Sequence, residues 1–169
     1  EQIIPMLFEQ GRNPFILILD RVTDVRNFGA IARTAECAGV DAILIPDHNS
    51  ARITADAVKT SAGALHSIPV CRATNLFQTV KFLKNSGITI FAATEKGNIH
   101  YHSMAYDQPL ALIMGSEENG VSADLLKISD HLVRIPLLGT IGSLNVSVAA
   151  GVLMYEVIRQ RNYRDIPTE

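Results

Sequence analysis

Arg134-Ile-Pro-Leu-Leu-Gly-Thr-Ile-Gly-Ser-Leu-Asn-Val-Ser-Val-Ala149 joins a strand end, a glycine-bearing loop and a helix start. His131 to Ile135 reads as a short strand that stops at Pro136, whose ring cannot donate to a ladder. Gly139 and Gly142 permit a tight turn and a close approach of a ligand to the backbone. Ser143 is the expected cap of a long apolar helix, with Asn145 in its first turn, where unpaired N–H groups are available. Loop amides and carbonyls can then hold a flat heterocycle while Ser143 and Asn145 face a reacting group. A plain capped connection has the same outline, so two further stretches decide the matter.

The first is Asp20-Arg-Val-Thr-Asp-Val-Arg-Asn-Phe-Gly-Ala-Ile-Ala-Arg-Thr-Ala35. Phe15 to Asp20 reads as a buried strand. A polar loop with Arg21, Asp24 and Arg26 follows, and Asn27 opens a helix expected to reach Ala38 before Gly39. Arg33 lies less than two helical turns beyond Asn27, so both can border one cleft. The second is Leu110-Ala-Leu-Ile-Met-Gly-Ser-Glu-Glu-Asn-Gly-Val-Ser122, a buried strand running into Gly115, Glu117, Glu118 and Gly120. A carboxylate there sits where open α/β sheets bind ligands, at the carboxyl ends of their strands.

The rest of the chain has the same rhythm. Apolar, β-branched runs at 15–20, 41–46, 68–72, 88–93, 110–114 and 131–135 are separated by helical segments at 27–38, 54–65, 75–85 and 143–163. Such alternation predicts an α/β fold: a mainly parallel six-stranded sheet with helices on both faces. Pattern alone gives a Rossmann-like order, because knots are rare. The helix after Ser143 carries Val146, Ala149, Val152 or Leu153, and Val157 on one side, a stripe for the core or for a second copy.

With 169 residues, 47% hydrophobic and 19% charged, the chain is a single compact domain rather than a disordered one. No apolar run approaches a membrane span, and no signal-peptide pattern is present. Cys37, in a helical segment, and Cys71, in a strand, are read as reduced, packed thiols of a cytoplasmic protein. A net charge of −2 gives no global attraction to phosphate. Arginines do gather locally: Arg12, Arg21, Arg26 and Arg33 near the first stretch, and Arg159, Arg161 and Arg164 at the far end.

Rival signatures are missing. There is no G-x-G-x-x-G after the first strand, no P-loop and no G-x-S-x-G elbow. His100-Tyr-His102 would share a strand face, but no third metal ligand accompanies it, so no metal is expected. His66 reads as a cap or packing residue.

The three loops, in this order, resemble the three motifs of the SpoU (TrmH-like) RNA 2′-O-ribose methyltransferases of the SPOUT class. The matching residues are Asn27-x-Gly29 with Arg33-Thr-Ala35, then Gly115-Ser-Glu-Glu-Asn-Gly120. Ile135-Pro136 with Ser143-Leu-Asn-Val-Ser-Val-Ala149 completes them. The resemblance runs from about Asn13 to Arg161. Segments 13–46 and 61–76 look most like the bacterial 23S rRNA guanosine 2′-O-methyltransferases of RlmB type.

The resemblance implies a C-terminal trefoil knot within a domain at 14–163, followed by a tail at 164–169. It makes 1–13 a linker from a separate N-terminal RNA-binding domain, and Glu1 stands where an initiator methionine is expected. It implies S-adenosylmethionine as cofactor, held around Thr94, Gly115, Ile135, Leu137 and Leu144. The catalytic group is Arg33 with Asn27, Glu117, Ser143 and Asn145. The partners are RNA, rRNA before tRNA, and a second copy of the chain, since the family's sites form across a dimer interface. Deprotonating a guanidinium at neutral pH costs roughly 7–9 kcal/mol, which favours Arg33 as a clamp on phosphate and a stabiliser of the developing alkoxide. A non-catalytic RNA-binding module and a small-molecule Rossmann-like enzyme are the other readings. The intact site residues disfavour the first, and the missing glycine fingerprint the second.

Overall fold

The computed structural model describes residues 2–162. The expected tail at 164–169, Arg164 and the helix end at Tyr163 lie outside them. Strand β1 (Phe15–Asp20) is buried along its whole length. Around it lie β2 (Ala42–Pro46), β3 (Val70–Ala73), β4 (Thr89–Ala93), β5 (Ile99–His100), β6 (Leu110–Gly115) and β7 (His131–Arg134). All pair in parallel, in the order β3-β2-β1-β6-β4-β7-β5. β6 thus fills a gap between β1 and β4, and β7 a gap between β4 and β5.

The sheet has seven strands rather than six. Ile99–His100 adds a two-residue edge along Val133 and Arg134. A run that short has no alternation to read, and its partner comes much later in the chain. Only His100 belongs to this strand. Tyr101–Ser103 is a 3₁₀ turn, so the two imidazoles do not share a strand face; they stack with centroids 5.6 Å apart.

Among the described residues six α-helices flank the sheet: α1 (Ile3–Glu9), α2 (Val25–Cys37), α3 (Ala55–Thr60), α4 (Leu76–Asn85), α5 (Ala123–Ile128) and α6 (Val146–Asn162). Successive side chains of a strand point to opposite faces. Phe15, Leu17 and Leu19 accordingly join Phe28 and Ile31 of α2 and Leu153 and Val157 of α6 in one core. Ile16 and Ile18 join Val80 and Leu83 of α4, Leu125 of α5 and Ile4 of α1 in the other. The segment read as a linker therefore contains a helix whose Ile4 and Leu7 are buried.

Several local expectations change. α2 starts at Val25 rather than at Asn27, and Asp24 caps it, accepting the Asn27 N–H at 2.8 Å. The helix expected over 54–65 stops at Thr60, and a 3₁₀ turn (Ala64–His66) follows Gly63, whose φ is +86°. His66 is exposed there rather than packed. Cys37 is also exposed, because it is the last residue of α2 and falls beyond the stripe Phe28, Ile31, Ala32, Ala35.

Buried polar groups tie α6 down. Glu156 receives two bonds from Arg159, at 2.8 and 2.9 Å, and one from Gln160. Gln160 in turn accepts the Tyr106 N–H. Arg161 donates to the carbonyls of Asn13, Tyr106 and Gln108, fastening α6 to the entry of β1 and β6.

Candidate functional site

β1 and β6 run in register from Phe15 opposite Leu110 to Asp20 opposite Gly115. Both strands therefore release their loops at one level, and β4 and β7 end beside them. Two adjoining cavities open there, of about 440 and 470 Å³. Both lie in the range of small-molecule sites. Ser116, Glu117, Glu118, Asn119 and Val146 line both, so the loop after β6 is the wall between them.

Thr94, Gly115, Ile135, Leu137 and Leu144, the residues expected to hold a cofactor, all line the first cavity, together with Glu117 and Ser143. Gly115 is where glycine is indispensable. A Cβ there would lie 2.0 Å from the Gly120 carbonyl carbon, because Ser116 and Gly120 bridge and fold the loop back over the strand end. Gly120 completes the turn at φ +65° and donates to the Ser116 carbonyl at 2.9 Å. Gly139 and Gly142, expected to make the tight turn, have open space around them and no positive φ. The Thr94 backbone is already used: its N–H bonds the Val133 carbonyl, and its carbonyl accepts from Gly97.

The catalytic candidates divide. Asn145 Nδ2 donates to Glu117 Oε1 at 2.8 Å and to Asn27 Oδ1 at 3.1 Å, so one carboxamide joins all three motif loops. Its own Oδ1 accepts the N–H of Ser147 at 3.0 Å and the Ser147 hydroxyl. Asn145 thus supplies the side-chain bond at the helix entry that Ser143 was expected to supply, since α6 begins only at Val146. Asn27 and Glu117 line the second cavity. Arg33 is exposed on α2 and lines neither cavity.

Arg21, which lines the second cavity, and the buried Asp20 next to it had no assigned role. Asp20, buried, accepts the Ser122 N–H at 2.7 Å and holds Arg21 through Nε at 3.1 Å and Nη2 at 3.3 Å. Arg21 Nη2 also donates to the Gly120 carbonyl at 3.1 Å. Arg21 therefore links the first and second motif loops, from a backbone with φ +61°. A lone arginine after a strand gives no hint of that in the sequence.

Among the described residues no group of three or more His, Cys, Asp or Glu is placed to hold a metal. No described helix is long and apolar enough to cross a membrane.

Residues 14–155 match the model of the SpoU rRNA methylase family. A protein of Photorhabdus laumondii named 23S rRNA (guanosine-2′-O-)-methyltransferase RlmB is 40% identical over 162 residues, covering 96% of this chain and 66% of that protein. The chain is similar to an AdoMet-bound rRNA methyltransferase structure from Sinorhizobium meliloti, with a TM-score of 0.81 and 31% identity over 86% of this chain and 56% of that one. It is also similar to a TrmH/SpoU tRNA modifying enzyme of A. aeolicus, with a TM-score of 0.80 and 30% identity over 88% of this chain and 76% of that one. The chain spans just under two thirds of the length of the Photorhabdus relative.

Proposed function

Because this chain belongs to the SpoU rRNA methylase family, we propose that it transfers a methyl group from S-adenosylmethionine to a ribose 2′-hydroxyl of structured RNA, a guanosine of 23S rRNA in the first instance. The observation that carries this reading is the Asn145 junction. Side chains from three loops converge on the wall between two cavities, one for the methyl donor and one for the acceptor.

The first cavity suits the donor. Met114, Ile135, Leu137, Leu144 and Val146 give apolar walls for a nucleoside, and the missing side chain at Gly115 lets a ligand reach the backbone. S-adenosylmethionine supplies a methyl group already activated on sulfonium, so the reaction needs no metal and no covalent enzyme intermediate. What remains for the protein is alignment and care of the departing hydroxyl proton. Asn27, Glu117 and Asn145 orient the acceptor, and Ser143 borders the donor. Arg33 acts as a phosphate clamp that stabilises charge developing on the attacking oxygen.

Arg33 stands outside both cavities of its own chain, which makes a homodimer part of the proposal. α6 leaves Val148 and Tyr155 about half exposed, seven residues and two turns apart on one face. Gly151 of α6 lies against Thr34 of α2, so Arg33 is on the helix next to that face. Pairing of two copies there buries the apolar strip and delivers Arg33 to the partner's acceptor cavity. The placing of β6 and β7 between earlier strands supports the further reading that the C-terminal part is threaded as a trefoil knot.

A tRNA acceptor is the second reading, supported by the likeness to the A. aeolicus tRNA modifying enzyme. Incubation of 23S rRNA and tRNA transcripts with labelled S-adenosylmethionine, followed by mapping of 2′-O-methyl positions, separates the two. Incorporation into neither would refute the proposed activity.

A further inference from the structure

Arg21 and Asn49 are two of the three non-glycine residues with positive φ among the described residues, at +61° and +55°. Both line the second cavity, and the third, Ala62, does not. A side chain in this conformation crowds its own backbone. Residues held there concentrate at ligand sites, where the surroundings enforce them. Glycine at either position would relieve the crowding. The retained side chains have to offset it.

We propose that Arg21 and Asn49 are specificity-determining residues that recognise the acceptor base, a guanine, in this second cavity. The inference rests on the methyltransferase reading above and adds what selects the nucleotide. Asn27 and Glu117 line the same cavity, so a ribose oriented by them carries its base into it. Nine of its eleven lining residues are polar or charged, with Val22 and Val146 the apolar members.

The chemistry of the rim matches guanine. Buried Asp20 aims the Arg21 guanidinium by engaging Nε and Nη2, and the Gly120 carbonyl takes a further Nη2 hydrogen. Among the described residues no bond engages Nη1, which is left for a ligand. Guanine presents two acceptors, O6 and N7, on one edge, and arginine is their usual partner. Adenine places an amino donor where guanine has O6, so it would meet the guanidinium donor to donor. The exposed Asn49 carboxamide adds a donor and an acceptor. Asp24, whose Oδ1 is taken by the Asn27 N–H, keeps Oδ2 for a guanine N–H.

The test compares wild type with R21G and N49G, both compatible with the observed φ. Methyl transfer is measured on RNA transcripts carrying guanosine, or adenosine, at the mapped acceptor position. Binding of S-adenosylhomocysteine is measured by calorimetry. The expected result is that each variant loses about tenfold or more of the guanosine-over-adenosine preference in kcat/KM, the scale of one good base contact. Affinity for S-adenosylhomocysteine should stay within about twofold of wild type. Unchanged preference in both variants overturns the proposal. So does loss of S-adenosylhomocysteine binding by R21G in step with turnover, which would make Arg21 only a clamp between loops. N49G carries no such clamp and reads the base contact independently. A wild-type chain that methylates no RNA sinks the underlying activity, and this proposal with it, before any variant is compared.

Discussion

Asn145 and Asn27 lie 118 residues apart in the chain, and their carboxamides meet at 3.1 Å. The same Asn145 amino group reaches Glu117 at 2.8 Å. One short side chain thus reports whether three strand-end loops are assembled.

That shared bond makes the two asparagines energetically coupled. N145A and N27A should each lower turnover by about 10²-fold. The double variant should be far less impaired than the product of the two, with a coupling of about 0.5–3 kcal/mol. Single-turnover kinetics on the four proteins of the cycle checks this; simple additivity would mean the contact has no functional weight.

Gly115 and Gly139 should respond oppositely to alanine. At Gly115 the added carbon meets Gly120 backbone at 2.0 Å, so G115A should cost about 3 kcal/mol or more and abolish S-adenosylhomocysteine binding. G139A meets nothing within 4 Å and should melt within a few degrees of wild type, at about 0.5 kcal/mol or less. Thermal melts with and without ligand measure both.

Replacing Arg33 by alanine should leave folding and S-adenosylhomocysteine affinity nearly unchanged, because the side chain is exposed and outside both cavities. Turnover on RNA should fall by about 10²-fold or more. R33K should recover little of it, since an ammonium lacks the bidentate fork. An R33A protein that lost ligand binding but kept turnover at saturating donor would contradict this assignment.

The proposed dimer face gives a separate test. A charge at Val148 or Tyr155, each about half exposed, should be neutral for a monomer but would desolvate unpaired inside an interface. V148E and Y155E should therefore sediment as monomers where wild type sediments as a dimer at micromolar concentration. They should also lose methyl transfer, because Arg33 no longer reaches a second cavity.

Glu156 should make stability depend on acid. The Arg159 bond lowers its carboxyl, burial opposes, and the Gln160 bond adds to the lowering, leaving the group below the ordinary 4.5. A depressed folded value stabilises above the ordinary one, and the benefit is lost as pH falls through the depressed value. E156Q should thus be less stable than wild type near neutrality, and the gap should narrow as pH falls below the ordinary 4.5. Urea midpoints across that range test the sign.

Much of this protein is legible along the chain because the relevant signals are local. The FILILD and LALIM runs announce buried strands, since a strand covered on both faces has no place for polar residues until it ends. The family resemblance named Thr94, Gly115, Ile135, Leu137 and Leu144, and these residues line one cavity. β5 stayed hidden because two residues carry no period, and their pairing partner is distant. The helix entries shifted because Asp24 takes the Asn27 N–H and Asn145 takes the Ser147 N–H, so α2 starts at Val25 and α6 at Val146.

By itself the sequence determined the α/β class and the three glycine-bearing strand-end loops, all properties of neighbouring residues. Only the tertiary structure decided which loops touch. The register of β1 against β6 sets Asp20 level with Gly115. From that follow the Asp20–Ser122 bond and the strained Arg21 clamp on Gly120, while the packing of α6 against α2 accompanies the meeting of Asn145 with Asn27. Backbone φ, strand order and long-range hydrogen bonds arise from packing distant segments together, and no short window of sequence contains them.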